Sequence, residues 1–130
     1  MELKSSRKVL AVDILKQIED AIQRLQERTK NIKSVDDFLN SSSGMEKLDA
    51  TCMLLIAIGE SLKSFDKITD RQILCKDETI PWSEIMGVRD IIAHHYFDID
   101  ADEIFNIISN DLEPLAESIG NFINELEQRD

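Results

Sequence analysis

From Ser5 to Lys30 the apolar residues Leu10, Ile14, Ile18, Ala21, Ile22 and Leu25 recur at intervals of three and four, the period that returns side chains to one face of an α-helix. A long first helix is predicted there. The stretch 31–44 interrupts it: Val35 to Leu39 suffice for one short turn, and Ser41, Ser42, Ser43 and Gly44 form a loop whose last serine can cap the next helix. That second helix is predicted from about Met45 to Lys67, and its centre, Met53 to Ile58, is apolar on every side, which predicts burial among other helices. Residues 69–79 are polar and aperiodic and read as a loop. Pro81 suits the first position of a third helix, where its missing N–H costs nothing, and that helix is predicted to run to about Tyr96. Asp100 and Glu103 have the spacing of a capping box ahead of Ile104, Phe105, Ile107 and Ile108, the apolar stripe of a fourth helix. Pro114 is expected to split or kink the chain before a last helical segment through Leu115, Ile119, Phe122, Ile123 and Leu126. The expected architecture is all-α, an antiparallel bundle of four or five helices in a single domain over residues 1–130.

Composition agrees with helices: only 5% of residues are aromatic, and four Gly and two Pro leave little turn chemistry for a sheet. The longest apolar run, Cys52 to Ile58, falls well short of the roughly 20 residues that span a bilayer. Met1 leads into a mixed-charge amphipathic stretch with no apolar block behind it, so neither a secretory signal nor a membrane partner is expected. Cys52 and Cys75 lie far apart and match no zinc or redox spacing. A cytoplasmic location, no cofactor and no metal follow as expectations.

The net charge of −11 argues against a broad nucleic-acid surface, because phosphate contacts need clustered Lys and Arg. Its distribution is uneven. Residues 1–33 hold eight basic and five acidic side chains, a local +3, which leaves −14 for the remainder.

The two histidines are adjacent, within Arg89-Asp90-Ile91-Ile92-Ala93-His94-His95-Tyr96. With Arg89 at the origin of a helical projection, Ala93 falls at about 40°, Asp90 at about 100° and His94 at about 140°, while Ile85, Val88 and Ile92 occupy the opposite side. One edge therefore carries Arg89, Asp90 and His94, with Asp90 and His94 one turn apart. His95 points elsewhere and suits packing or surface. An imidazole that titrates near neutrality can take the proton from a ribose 2′-OH, and a guanidinium can hold the phosphate as charge builds on its oxygens. One histidine cannot be both base to the 2′-OH and acid to the departing 5′ oxygen; a twofold dimer would supply the second. Spacing alone equally suits a solvated polar face or an ion-pair site. Trp82 and Tyr96 read as core or interface anchors. Glu60, in an otherwise apolar helix, reads as an acid on the buried side that needs a partner, and Arg89 is one candidate.

The string from Arg89 to Tyr96 resembles the R-polar-x3-H signature, extended to H-x-Y, of HEPN-domain proteins, and more narrowly the HepT-type toxins encoded beside a minimal nucleotidyltransferase antitoxin. The resemblance extends over most of the chain, through the first long helix, Ile58-Gly59-Glu60-Ser61, Pro81-Trp82, and Tyr96-Phe97 ahead of an acidic-capped helix. It implies a HEPN-like helical homodimer with a composite cleft, acting as a metal-independent endoribonuclease toxin on RNA, of which tRNA is one candidate. By the same resemblance Arg89 and His94 are the catalytic pair, Asp90 is the polar residue that orients them, and Tyr96 is where the cognate nucleotidyltransferase attaches AMP to silence the toxin. Glu60 is assigned a supporting part. The alternative is a non-catalytic helical partner that binds and regulates a nucleotidyltransferase.

Overall fold

The computed structural model describes residues 4–94 and 99–128, with positions 93 and 94 as backbone only. It is all-helical, with no strand among the described residues. Three long helices dominate: α1 (Ser5–Thr29), α3 (Ser42–Ile68) and α7 (Leu112–Gln128). Shorter helices fill the connections, namely α2 (Val35–Leu39), α4 (Trp82–Met86), α5 (Val88–His94) and α6 (Ala101–Asn110), with a 3-10 turn at Leu74–Lys76.

Helix α1 is the shared element, packed against both α3 and α7. Both neighbours run antiparallel to it. Arg7 reaches Asp70 at the far end of α3, and Leu25 shares a pocket with Lys47 and Thr51 at its near end; Lys16 pairs with Glu127 while Glu19 lies beside Gly120. Cover on two flanks centres the buried stripe of α1 on Ala11, Val12, Leu15, Ile18, Ile22 and Leu25. The expected stripe through Leu10 and Ile14 is corrected accordingly, with Leu10 left 50% exposed and Ile14 partly buried.

Two expectations for α3 also change. Its cap is Ser41, whose hydroxyl accepts from the Gly44 N–H at 2.9 Å, not Ser43. A β-carbon at Gly44 would strike the Asp37 and Phe38 carbonyls. This tight packing of the first turn of α3 on α2 begins the helix before Met45. The apolar centre is not buried on all sides either: Leu54, Leu55 and Ile58 enter the core, whereas Met53 is 72% exposed.

The predicted third helix is two. Gly87 ends α4 with its N–H on the Ser83 carbonyl at 2.9 Å and α5 starts at once, the weak helix propensity of glycine making this the natural break. Pro81 is the N-cap of α4, one position earlier than expected. Asp100 caps α6 by accepting from the Glu103 N–H at 3.1 Å. The break after α6 falls at Asp111, and Pro114 sits in the first turn of α7, where no intrahelical N–H is required of it.

After α3 the backbone turns through two successive left-handed residues, Asp70 (φ 55°) and Arg71 (φ 59°). Neither is glycine, so each costs on the order of 1 kcal/mol. The turn is pinned by the Arg71 N–H on the Asp66 carbonyl at 2.8 Å and by the buried Thr69 hydroxyl on the Phe65 carbonyl at 2.9 Å.

Candidate functional site

Helix α5 is too short to be stable alone and is held by its apolar face. Val88 and Ile92 are buried, together with Ile85 of α4, while Arg89 and Asp90 are exposed. For the side chains described, Arg89 and Asp90 outward and Ile85, Val88 and Ile92 inward, the faces are those expected from the sequence. Arg89, Asp90 and His94 stand on one unbroken helix, of which His94 is the last described residue. The His94 side chain, and all of His95 and Tyr96, lie outside the described residues, so the expected catalytic pairing and the modification site are located by chain position only.

Arg89 and Glu60 are brought together from elements 29 residues apart: Arg89 Nη1 donates to Glu60 Oε1 at 3.0 Å. Lys63, one turn along α3, approaches the other carboxylate oxygen, Oε2, at 3.6 Å. Glu60 is thus not the buried acid expected from its apolar neighbours. Its side chain is 39% exposed and clamped between two cations. The hydrogen bond from Arg89 lowers its pKa below the ordinary 4.5; slight desolvation opposes this, and the charge of Lys63 adds to it. Both cations favour the ionised carboxylate.

The contact is possible because α4 crosses α3 at Gly59, where a β-carbon would stand 2.6 Å from the Ile85 carbonyl oxygen and 3.5 Å from Met86 Cα. Only glycine allows this approach. Trp82 secures the start of α4: its indole N–H donates to the Asp77 carbonyl at 2.9 Å, and its ring lies 6.2 Å from that of Phe122 in α7. Asp77 in turn accepts from the Thr79 N–H at 3.0 Å. Trp82 is therefore the anchor expected of it, tying the 69–79 segment, α4 and α7 together.

Lys63 was legible only through its spacing of three from Glu60, which alone is a common pattern on solvated helices. Among the described residues no group of three His, Cys, Asp or Glu is placed to hold a metal ion, and no helix is long and apolar enough to cross a membrane.

An exposed guanidinium fixed by a carboxylate can bind a phosphate, and a histidine follows five residues later on the same helix. Comparison with known proteins points the same way. From Methanocaldococcus jannaschii, the chain is 30% identical over 114 residues to "Gamma-glutamylcyclotransferase and putative RNase MJ0434", an alignment covering 88% of this chain and 48% of that protein. The chain thus spans about half the length of that relative. It is 28% identical over 107 residues to "Putative RNase MJ0127" of the same organism, covering 78% of this chain and 85% of that one. To "Putative RNase MJ1216", also from that organism, it is 27% identical over 123 residues, covering 95% and 92%. No solved structure gives a significant match. The family model described as "Ribonuclease HepT-like" matches residues 18–122, which include Gly59, Glu60, Arg89 and His94, and the chain belongs to the HepT-like ribonuclease family.

Proposed function

We propose that this protein is a metal-independent endoribonuclease, the toxin of a toxin–antitoxin pair, which a partner nucleotidyltransferase silences by attaching AMP to Tyr96. The observation that carries the ribonuclease reading is the Arg89 guanidinium, exposed on α5 and fixed by Glu60 at 3.0 Å, on the same helix as His94. Family membership and the RNase names of its relatives support it.

In this mechanism the His94 imidazole takes the proton of a ribose 2′-OH. The 2′ oxygen attacks the adjacent phosphorus, the bond from phosphorus to the 5′ oxygen breaks, and Arg89 balances the charge that gathers on the non-bridging oxygens. The 5′ oxygen leaves with a proton from a second acid, assigned to His94 of a twofold-related copy. The products are a 2′,3′-cyclic phosphate and a 5′-hydroxyl. Asp90, beside Arg89 on the exposed face, is assigned to orient the pair.

The test is incubation of the purified protein with total RNA in EDTA, with end-group analysis of the fragments and light scattering for the dimer. Cleavage leaving cyclic phosphate is expected from the wild type. It should be lost in His94→Ala and reduced roughly a hundredfold in Arg89→Ala. Full cleavage by folded His94→Ala overturns the mechanism. A wild type that binds the nucleotidyltransferase and cuts no RNA leaves the non-catalytic partner as the reading.

A further inference from the structure

Resting on the ribonuclease reading, we propose that the groove at the C-terminal end of α3 is the path by which a single RNA strand runs to Arg89, its phosphates held by Lys63, Lys67 and Arg71. The groove has a volume of about 700 Å³ and is lined by Lys63, Asp66, Lys67, Asp70, Arg71 and Met86. It adjoins the site directly. Lys63, on its wall, is 3.6 Å from one oxygen of Glu60, and Arg89 holds the other at 3.0 Å. Met86, also on the wall, lies three residues before Arg89.

The charge is the informative part. Only seven basic side chains lie beyond residue 33, and four of them, Lys63, Lys67, Arg71 and Arg89, stand in this groove or at its mouth. One of the two groove carboxylates, Asp70, faces the Arg7 guanidinium at 3.8 Å. Counting Arg7, and Asp90 beside Arg89, five cations meet the four carboxylates Glu60, Asp66, Asp70 and Asp90, a local +1 on a chain of −11. An RNA strand repelled by most of this surface meets attraction here, and a confined positive track focuses the field along it. The left-handed pair Asp70 and Arg71 turns the chain at the end of α3, and Arg71 lines the same groove as the two lysines, one of them in the last turn of the helix.

Among the described residues the groove lining is charged apart from Met86. Charged side chains of this kind suit contacts to the phosphate backbone.

A purely structural role for these cations, favourable placement at the negative end of α3, predicts a change in stability and none in RNA affinity. The double variant Lys67→Gln/Arg71→Gln separates the two, since the Glu60 carboxylate is held by Lys63 and Arg89. Binding of a fluorescent 2′-O-methyl RNA of about 12 nucleotides, which lacks the attacking hydroxyl, is measured against salt. The slope of log affinity on log salt should fall by about 1.4, that is about 0.7 for each lost phosphate contact. In EDTA, KM for an unmodified oligonucleotide of that length should rise roughly tenfold with kcat kept, while kcat/KM for a dinucleotide stays within about twofold, because a dinucleotide does not reach the groove. The charge-conserving Lys67→Arg/Arg71→Lys should restore both, which excludes misfolding as the cause.

An unchanged salt slope overturns the proposal, as does an equal loss on dinucleotide and oligonucleotide. So does intact RNA binding with lost affinity for the nucleotidyltransferase, which would make the groove a protein-docking surface. If the wild type cuts neither substrate, the ribonuclease reading fails, and the salt slope still reports separately whether the groove holds RNA.

Discussion

A β-carbon on Gly59 would stand 2.6 Å from the Ile85 carbonyl oxygen, so α3 and α4 meet at a point that admits only glycine. One residue further, Glu60 meets Arg89 at 3.0 Å. The Gly-Glu pair is thus a spacer followed by an anchor: the first residue sets how close the helices come, and the second uses that closeness to hold the guanidinium.

Gly59→Ala should therefore destabilise the protein even though alanine is the better helix former by about 1 kcal/mol. Overpacking against backbone, which cannot rotate away, costs about 1–3 kcal/mol and is expected to exceed that gain. Thermal unfolding should show a lower midpoint, together with weakened RNA cleavage as Arg89 is pushed from Glu60. A raised midpoint would show that the helix crossing has slack.

Glu60→Gln tests the clamp. Because the pKa of Glu60 is lowered in the folded state, its pairing stabilises at and above the ordinary value of 4.5 and is lost as pH falls through the lower folded value. The difference in unfolding midpoint between wild type and variant should be small, level above about pH 5, and gone at the acid end. With RNA, kcat should fall because Arg89 loses its support. KM should fall too, since one negative charge leaves the phosphate site. Parallel pH profiles of stability would sink the idea that the carboxylate is ionised and paired.

The modification proposal turns on Tyr96, which lies seven residues after Arg89 in the sequence. An AMP group nearby would place an anion within reach of the cation meant for the scissile phosphate. Tyr96→Phe should remain an active nuclease and resist silencing on co-expression with the nucleotidyltransferase. Intact mass and peptide mapping check this, and AMP found on another residue counts against it.

The cysteines should differ sharply. Burial, with a smaller contribution from the charge of Asp49, pushes the Cys52 thiol up to about 11, whereas Cys75 is exposed. At pH 8 the Cys52 thiol is therefore held in its unreactive protonated form. Iodoacetamide should add once to the native protein, at Cys75, and twice after denaturation; rapid double labelling of folded protein would show that the core around Cys52 opens.

Helix type and much of the helix placement were legible in the sequence, because periodicity and caps are local. The first helix ends within one residue of the prediction, the turn at Val35–Leu39 is where it was read, and Asp100 caps α6 as its spacing to Glu103 requires. The string from Arg89 to His94 was legible for the same reason, since one unbroken helix carries it. What the sequence could not decide is which neighbour each face meets. Leu10 and Leu15 fit apolar stripes equally well, yet two flanking helices bury only Leu15. Met53 sits among apolar residues and still faces outward, because α3 is covered on selected sides. Glu60 reads as an acid on the buried side with Arg89 as one candidate partner, Lys63 and Lys67 are further charges on the same predicted helix, and Arg71 falls in the predicted loop. Only the close crossing at Gly59, which sets α4 and α5 against the second half of α3, turns them into an anchor for Arg89 and a positive groove beside it, since contacts between residues distant in sequence exist only once the chain is packed.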